Sequence, residues 1–212
     1  MQNNNESKNN FSEVFIGENG KMGVKLGNGQ VIVPALYDEI AYTYSDFIAN
    51  THPYVAIKDG KFGLLRPDGK GTEITPFVYD SIIIPNAESF LNHFLYKKEK
   101  GERFGIMAMD GREITPCNLK SYSCDGQTVY FRSGNHQGLW QWVIDELLEP
   151  IYDKIEFVDD DEPILFTLNG EKGYVKAEDQ SFIPQNLENT MDPDSWHDLL
   201  IECIFDQYDD FD

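Results

Sequence analysis

Basic side chains are scarce in this sequence: 17 lysines and arginines stand against 37 acidic residues among 212, a formal charge of −20 at neutral pH. A field of that sign makes nucleic acid and anionic membrane poor partners and favours a basic protein or a cation. Cysteine is sparse too. Cys117, Cys124 and Cys203 are odd in number and irregularly spaced, with no Cys-x-x-Cys pair, so neither a disulfide framework nor a zinc or redox motif is expected, and the three read as packing thiols. No apolar run reaches membrane-spanning length, and the opening MQNNNESKNN has neither the basic nor the apolar region of a secretory signal, so the expectation is a cytoplasmic chain without membrane insertion. The four histidines, His52, His93, His136 and His197, have no His or Cys partner at ligand spacing. There is no Gly-x-Ser-x-Gly elbow, no Gly-x-Gly-x-x-Gly after a strand and no Walker sequence. The sequence therefore assigns no catalytic residue, no metal ligand and no cofactor.

What is present is repetition. Asn19-Gly20-Lys21-Met22-Gly23 leads to a turn at Asn28-Gly29, then to VIVP ending at Pro34, then to Tyr37-Asp38-Glu39-Ile40. The same order recurs as Asp59-Gly60-Lys61-Phe62-Gly63, Asp68-Gly69, EITP at Pro76 and Tyr79-Asp80-Ser81-Ile82. A third copy has Phe104-Gly105, Asp110-Gly111 and Pro116, with Asn118-Leu119-Lys120 replacing Tyr-Asp. A fourth has Gln137-Gly138, Asp145-Glu146, Pro150 and Tyr152-Asp153-Lys154-Ile155; a fifth has Lys172-Gly173, Asp179-Gln180 and Pro184, with no Tyr-Asp after it. The template is thus marked by Gly23, Gly63, Gly105, Gly138 and Gly173 and by Pro34, Pro76, Pro116, Pro150 and Pro184. Tandem copies of this length point to a repeat fold in which each copy covers its neighbour's apolar face.

Each copy has a physical logic. A short apolar run, such as VFI from Val14 or YVAI from Tyr54, predicts strand a. Asn-Gly and Asp-Gly pairs supply the positive φ of tight hairpins, so the chain turns back into strand b and again into strand c. Lysine beside glycine at Asp59-Gly60-Lys61 invites a phosphate loop, but the lysines change from copy to copy while the turn residues recur. Strand c is expected to stop at its proline, which has no N–H for a ladder. The glycine of strand b is expected where one copy's sheet passes close over the next. Tyr-Asp-x-Ile is expected to begin a strand d, its aspartate closing a local Asx turn.

These residues resemble the WG-repeat, or KWG-repeat, family, whose pattern runs Gly-Lys-Trp-Gly-Tyr-Ile, Gly-Lys, Ile-Pro, Tyr-Asp. The resemblance covers about residues 13–184, and the slot of the name-giving tryptophan holds Met22, Phe62, Phe104, Gln137 and Lys172. It implies an all-β repeat protein, mostly bacterial, acting as a binding or interaction module with no general enzymatic activity. No catalytic residues carry over.

The expected organisation is a polar segment over 1–10 and a β-repeat domain over 11–191, with copies near 13–50, 51–90, 91–126, 127–160 and 161–191. A helix over 192–208 and an acidic tail over 209–212 follow. Asp192-Pro193 offers an N-cap with proline at the first helical position, and Trp196, Leu199, Leu200, Cys203, Ile204 and Gln207 share one helical face, as a lid on the last repeat would. The predicted fold is a curved open array of three- or four-stranded antiparallel meanders, the alternative being a closed five-bladed propeller.

Two features stand out as contact sites. The run Asp159, Asp160, Asp161 and Glu162 is the densest charge cluster and reads as a solvated loop or an acidic patch for a basic partner. Trp140 falls on core positions of the template, whereas Trp142 lies at the strand end, where an exposed ring would anchor a partner. The functional expectation is a non-enzymatic interaction module with a protein partner, basic in charge. An immunity-type inhibitor of a basic toxin is one alternative; an enzyme or ligand-binding β protein with a cleft of converging carboxylates and aromatics is another.

Overall fold

The structure, a computed structural model, describes residues 12–44, 46–85, 92–101, 103–125, 127–157 and 162–204. It is all-β: every sheet is an antiparallel series in chain order, and none closes into a barrel. The chain divides into two compact units, residues 1–117 and 118–212.

The first unit holds three sheets of three strands: β1 (Glu13–Ile16), β2 (Met22–Lys25) and β3 (Val31–Tyr37); β4 (Glu39–Ile40), β5 (Tyr54–Lys58) and β6 (Lys61–Leu65); β7 (Ser81–Ile83), β8 (His93–Lys97) and β9 (Gly105–Ala108). A four-residue helix, α1 (Asp46–Ala49), lies between β4 and β5. The second unit holds two sheets of four: β10 (Leu119–Asp125), β11 (Thr128–Ser133), β12 (His136–Gln141) and β13 (Glu146–Tyr152); then β14 (Lys154–Glu156), β15 (Leu165–Leu168), β16 (Glu171–Val175) and β17 (Phe182–Pro184). The predicted apolar runs all fall on strands. Asp59 and Gly60 turn with φ of 53° and 76°, as a tight hairpin requires.

Within each unit apolar side chains fill the space between consecutive sheets. In the first unit one cluster joins Val24, Val33 and Tyr37 of the first sheet to Tyr54 and Leu65 of the second. Another joins Val55 and Leu64 to Phe94, Tyr96 and Met107 of the third. In the second unit Leu139 and Leu148 meet Phe166 and Val175 in the same way. Alternation along each strand accounts for this: in the second sheet Tyr54 and Leu65 face one neighbour while Val55 and Leu64 face the other.

Three details of the repeat differ from expectation. Strand c does not stop at its proline in copies one and four: β3 passes through Pro34 and β13 through Pro150. The ladder absorbs the missing donor as a bulge, with the register slipping between Met22 and Val24 and between Gln137 and Leu139. The glycine opposite that bulge approaches its own copy, not the next. A Cβ on Gly23 would lie 2.6 Å from the Val33 carbonyl oxygen, and one on Gly138 would lie 2.5 Å from that of Leu148.

The third difference concerns Tyr-Asp. It does not open a strand d within its own copy; it carries the chain across from one sheet to the next. Tyr37 ends β3, Asp38 is the bend, and Glu39 begins the following sheet. The aspartate makes no local Asx turn. Asp38 donates its N–H to the Ile57 carbonyl, and its Oδ2 accepts the Asp59 N–H at 2.8 Å, in the first hairpin of the next copy. Asp153 repeats this with Thr167 and with the Gly170 N–H at 2.9 Å. Lysines of the same copies complete the clasp: Lys21 pairs with Asp38, and Lys61 with Asp80 at 2.5 Å. Copy three lacks it because Lys120, an ammonium with nothing to accept an N–H, stands in the aspartate's place. The division between the two compact units falls at Cys117 and Asn118, beside this substitution.

The C-terminal helix α2 spans Pro193–Ile201, not residues 192–208. Asp192 caps it as expected, its carboxylate accepting the Ser195 N–H at 3.0 Å. It ends early because the sheet takes the following residues: Ile204 donates its N–H to Val175 and accepts that of Ile164. Trp196 and Cys203 still cover the last sheet, packing on Tyr174 and Ile183.

Candidate functional site

The side chains that make the template are occupied with folding. Tyr79 and Tyr96 donate their hydroxyls to the two oxygens of Glu113, each at 2.9 Å, and Lys98 lies 2.7 Å from the same carboxylate. Although burial opposes ionisation, the Lys98 ammonium and the two phenols hold the Glu113 carboxyl below the usual range. Burial, aided by the Glu113 bond, pushes the Tyr79 and Tyr96 phenols well above theirs. Thr75 and Thr115, the threonines of the two EITP segments, are buried and accept the strand-b N–H groups of Leu64 and Ile106, each at 2.9 Å. These are structural ties between strands and copies.

The template breaks at Gln137. In copies one and two the corresponding Met22 and Phe62 pack against the clusters between sheets. An amide cannot fill that role. Its Oε1 accepts the Ile155 N–H of β14 at 2.6 Å. Beside it lies an open groove of about 420 Å³, within the range that holds small ligands or a peptide side chain.

Register sets the groove's layout. Ser121, Arg132 and Gln137 form one rung across β10, β11 and β12, and Ser123, Tyr130 and Leu139 form the next rung on the same face. Ile155 and Phe157 wall the groove from the β14 side, Phe157 being 40% exposed; Tyr122, Phe131 and Gly138 complete its lining. Among the described residues no carboxylate lines it, although the chain carries 37. Arg132 is exposed and in no ion pair among the described residues, whereas Lys21, Lys61, Lys98, Lys154 and Lys176 each have a carboxylate partner.

Of the sequence-predicted contact residues, neither Glu162 nor Trp142 lines the groove. Asp159, Asp160 and Asp161 lie outside the described residues, and Glu162 is exposed beyond them. Trp142 is half-buried with its Nε1 enclosed, so its ring is no free anchor, and it follows the far end of β12 from Gln137. Trp140 is core, 2% exposed. Among the described residues no three His, Cys, Asp or Glu side chains gather as metal ligands, and no helix is long and apolar enough to cross a membrane.

No protein-family model matches the chain, and no curated protein does. Among solved structures it is similar to one titled as the computationally designed Ika8 protein, at 13% identity and a TM-score of 0.29 over 84% of this chain. The match spans 62% of that chain, less than two thirds of its length.

Proposed function

We propose that this protein is a cytoplasmic, non-enzymatic interaction module built from WG-like repeats, and that it binds a segment of a protein partner in the groove beside Gln137. One observation carries the reading. Where copies one and two pack an apolar side chain against the cluster between sheets, Gln137 turns to the Ile155 backbone, and a groove lined by aromatic and polar groups lies there. Among the described residues aromatics line it and carboxylates do not, which favours recognition over acid–base chemistry as its use. The test is Gln137→Phe, which returns the slot to the residue type of copy two. Tagged wild-type and variant proteins are used to capture partners from an extract of the native cell. A protein retained by the wild type and lost with the variant is the expected result; equal capture by both overturns the reading.

The charge of −20 supports a basic partner, of which a toxin neutralised by an immunity-type protein is one form. Retention by such a partner falls steeply between low and high salt, and salt-insensitive capture removes the electrostatic version.

A further inference from the structure

We infer that the groove reads a carboxylate carried beside an aromatic side chain on a partner's peptide, an assignment that rests on the groove being the binding site. The rung Ser121–Arg132–Gln137 sets a guanidinium between a hydroxyl and an amide whose oxygen is already committed to Ile155. All three line the groove and carry O–H or N–H donors. A planar guanidinium with no carboxylate of its own matches a carboxylate in two parallel hydrogen bonds, which a neutral amide cannot replace. The next rung on the same face, two residues and roughly 7 Å along the strands, brings Tyr130, and Phe157 lines the same groove. Donors at one end and rings at the other fit a ligand with an anion and an aromatic group within one residue of each other. Charge complementarity points the same way. In a chain of −20 a groove in which, among the described residues, no carboxylate lines the wall and Arg132 has no ion-pair partner is a local reversal of sign.

The carboxylate has two sources in a peptide, a free C-terminus and an acidic side chain, and three probes separate them: acetyl-Gly-Ser-Phe with a free carboxylate, the same peptide as its C-terminal amide, and acetyl-Gly-Asp-Phe amide. Binding is followed by amide chemical shifts of the full-length protein at 150 mM salt, for the wild type, Arg132→Gln and Gln137→Phe, with circular dichroism confirming that each variant is folded. The expected result is that one or both carboxylate peptides bind the wild type at least about fivefold more tightly than the neutral amide, the ratio an exposed ion pair supports. The shifts centre on Tyr130, Arg132 and Phe157, and Arg132→Gln removes the preference. The acid that binds better names the source. If all three peptides bind alike and Gln137→Phe abolishes them all, the groove remains the binding site and the carboxylate assignment fails. An unchanged preference in Arg132→Gln, or no shift in the groove with any probe, also overturns it.

Discussion

The Asp38 carboxylate lies 2.8 Å from the backbone nitrogen of Asp59, twenty-one residues ahead, and closes the first hairpin of the following copy. Its partner Lys21 and the Asp59 N–H hold the carboxyl below its usual range, in that order of importance. Asp38→Ala is expected to lower the thermal midpoint more than Asp38→Asn, because asparagine keeps an oxygen for the Asp59 N–H and loses only the charge facing Lys21. Amide exchange at Asp59, read by NMR, accelerates in the alanine variant. The difference between the aspartate and asparagine proteins shrinks as salt rises.

Glycine at position 105 is dictated by space, since a Cβ would meet the Thr115 carbonyl oxygen at 2.6 Å and the Tyr96 ring at 2.5 Å. Gly105→Ala should destabilise by about 1–3 kcal/mol, the usual range for overpacking. Gly20, at a φ of 74° with open space where a Cβ would stand, is held by backbone conformation alone, and Gly20→Ala costs about 1 kcal/mol. Urea midpoints of the two variants give the comparison.

Thr115→Val keeps shape and removes the oxygen that receives the Ile106 N–H. A buried donor left without a partner costs about 1–3 kcal/mol. The same range applies to Thr75→Val through Leu64, and each variant should show faster exchange at its own orphaned amide and not at the other's.

His93 gives the stability curve an acid slope. Its ring is 4% exposed, and burial pushes its pKa down from 6.5 to about 4. The unfolded chain therefore takes up this proton first as pH falls, so the contribution is complete above pH 6.5 and is lost on descending toward pH 4. Between pH 8 and 5 the wild type should lose about 2 kcal/mol through this group, the slope approaching 1.36 kcal/mol per unit below pH 6. His93→Leu flattens that part of the curve. Urea unfolding across the range checks it, and equal slopes in the two proteins refute the assignment.

Hairpins were legible in the sequence because a turn is a local matter: Asn-Gly and Asp-Gly fix φ, and apolar runs beside them fix the strands. Pairing beyond the hairpin was less so. The aspartate of Tyr-Asp has its partners one copy ahead, and within its own copy it looks like an Asx-turn residue. The helix was overrun for a similar reason: the apolar period continues past Ile201, but the open end of β16 competes for the backbone of Ile204. Sequence did mark the groove, through Gln137 in an apolar slot. Its consequence required the position of β14, which no residue near Gln137 specifies. Trp142 misled because register places it at a strand end without showing that its Nε1 is enclosed.

The clasp also has a direction. Each aspartate precedes the hairpin it closes, by 21 residues for Asp38 and 17 for Asp153. During synthesis the acceptor therefore leaves the ribosome before the turn that needs it, and each hairpin closed in this way meets a carboxylate already delivered. A chain growing from the other end would expose each turn before its partner existed, so the repeat is written in the order in which translation can use it.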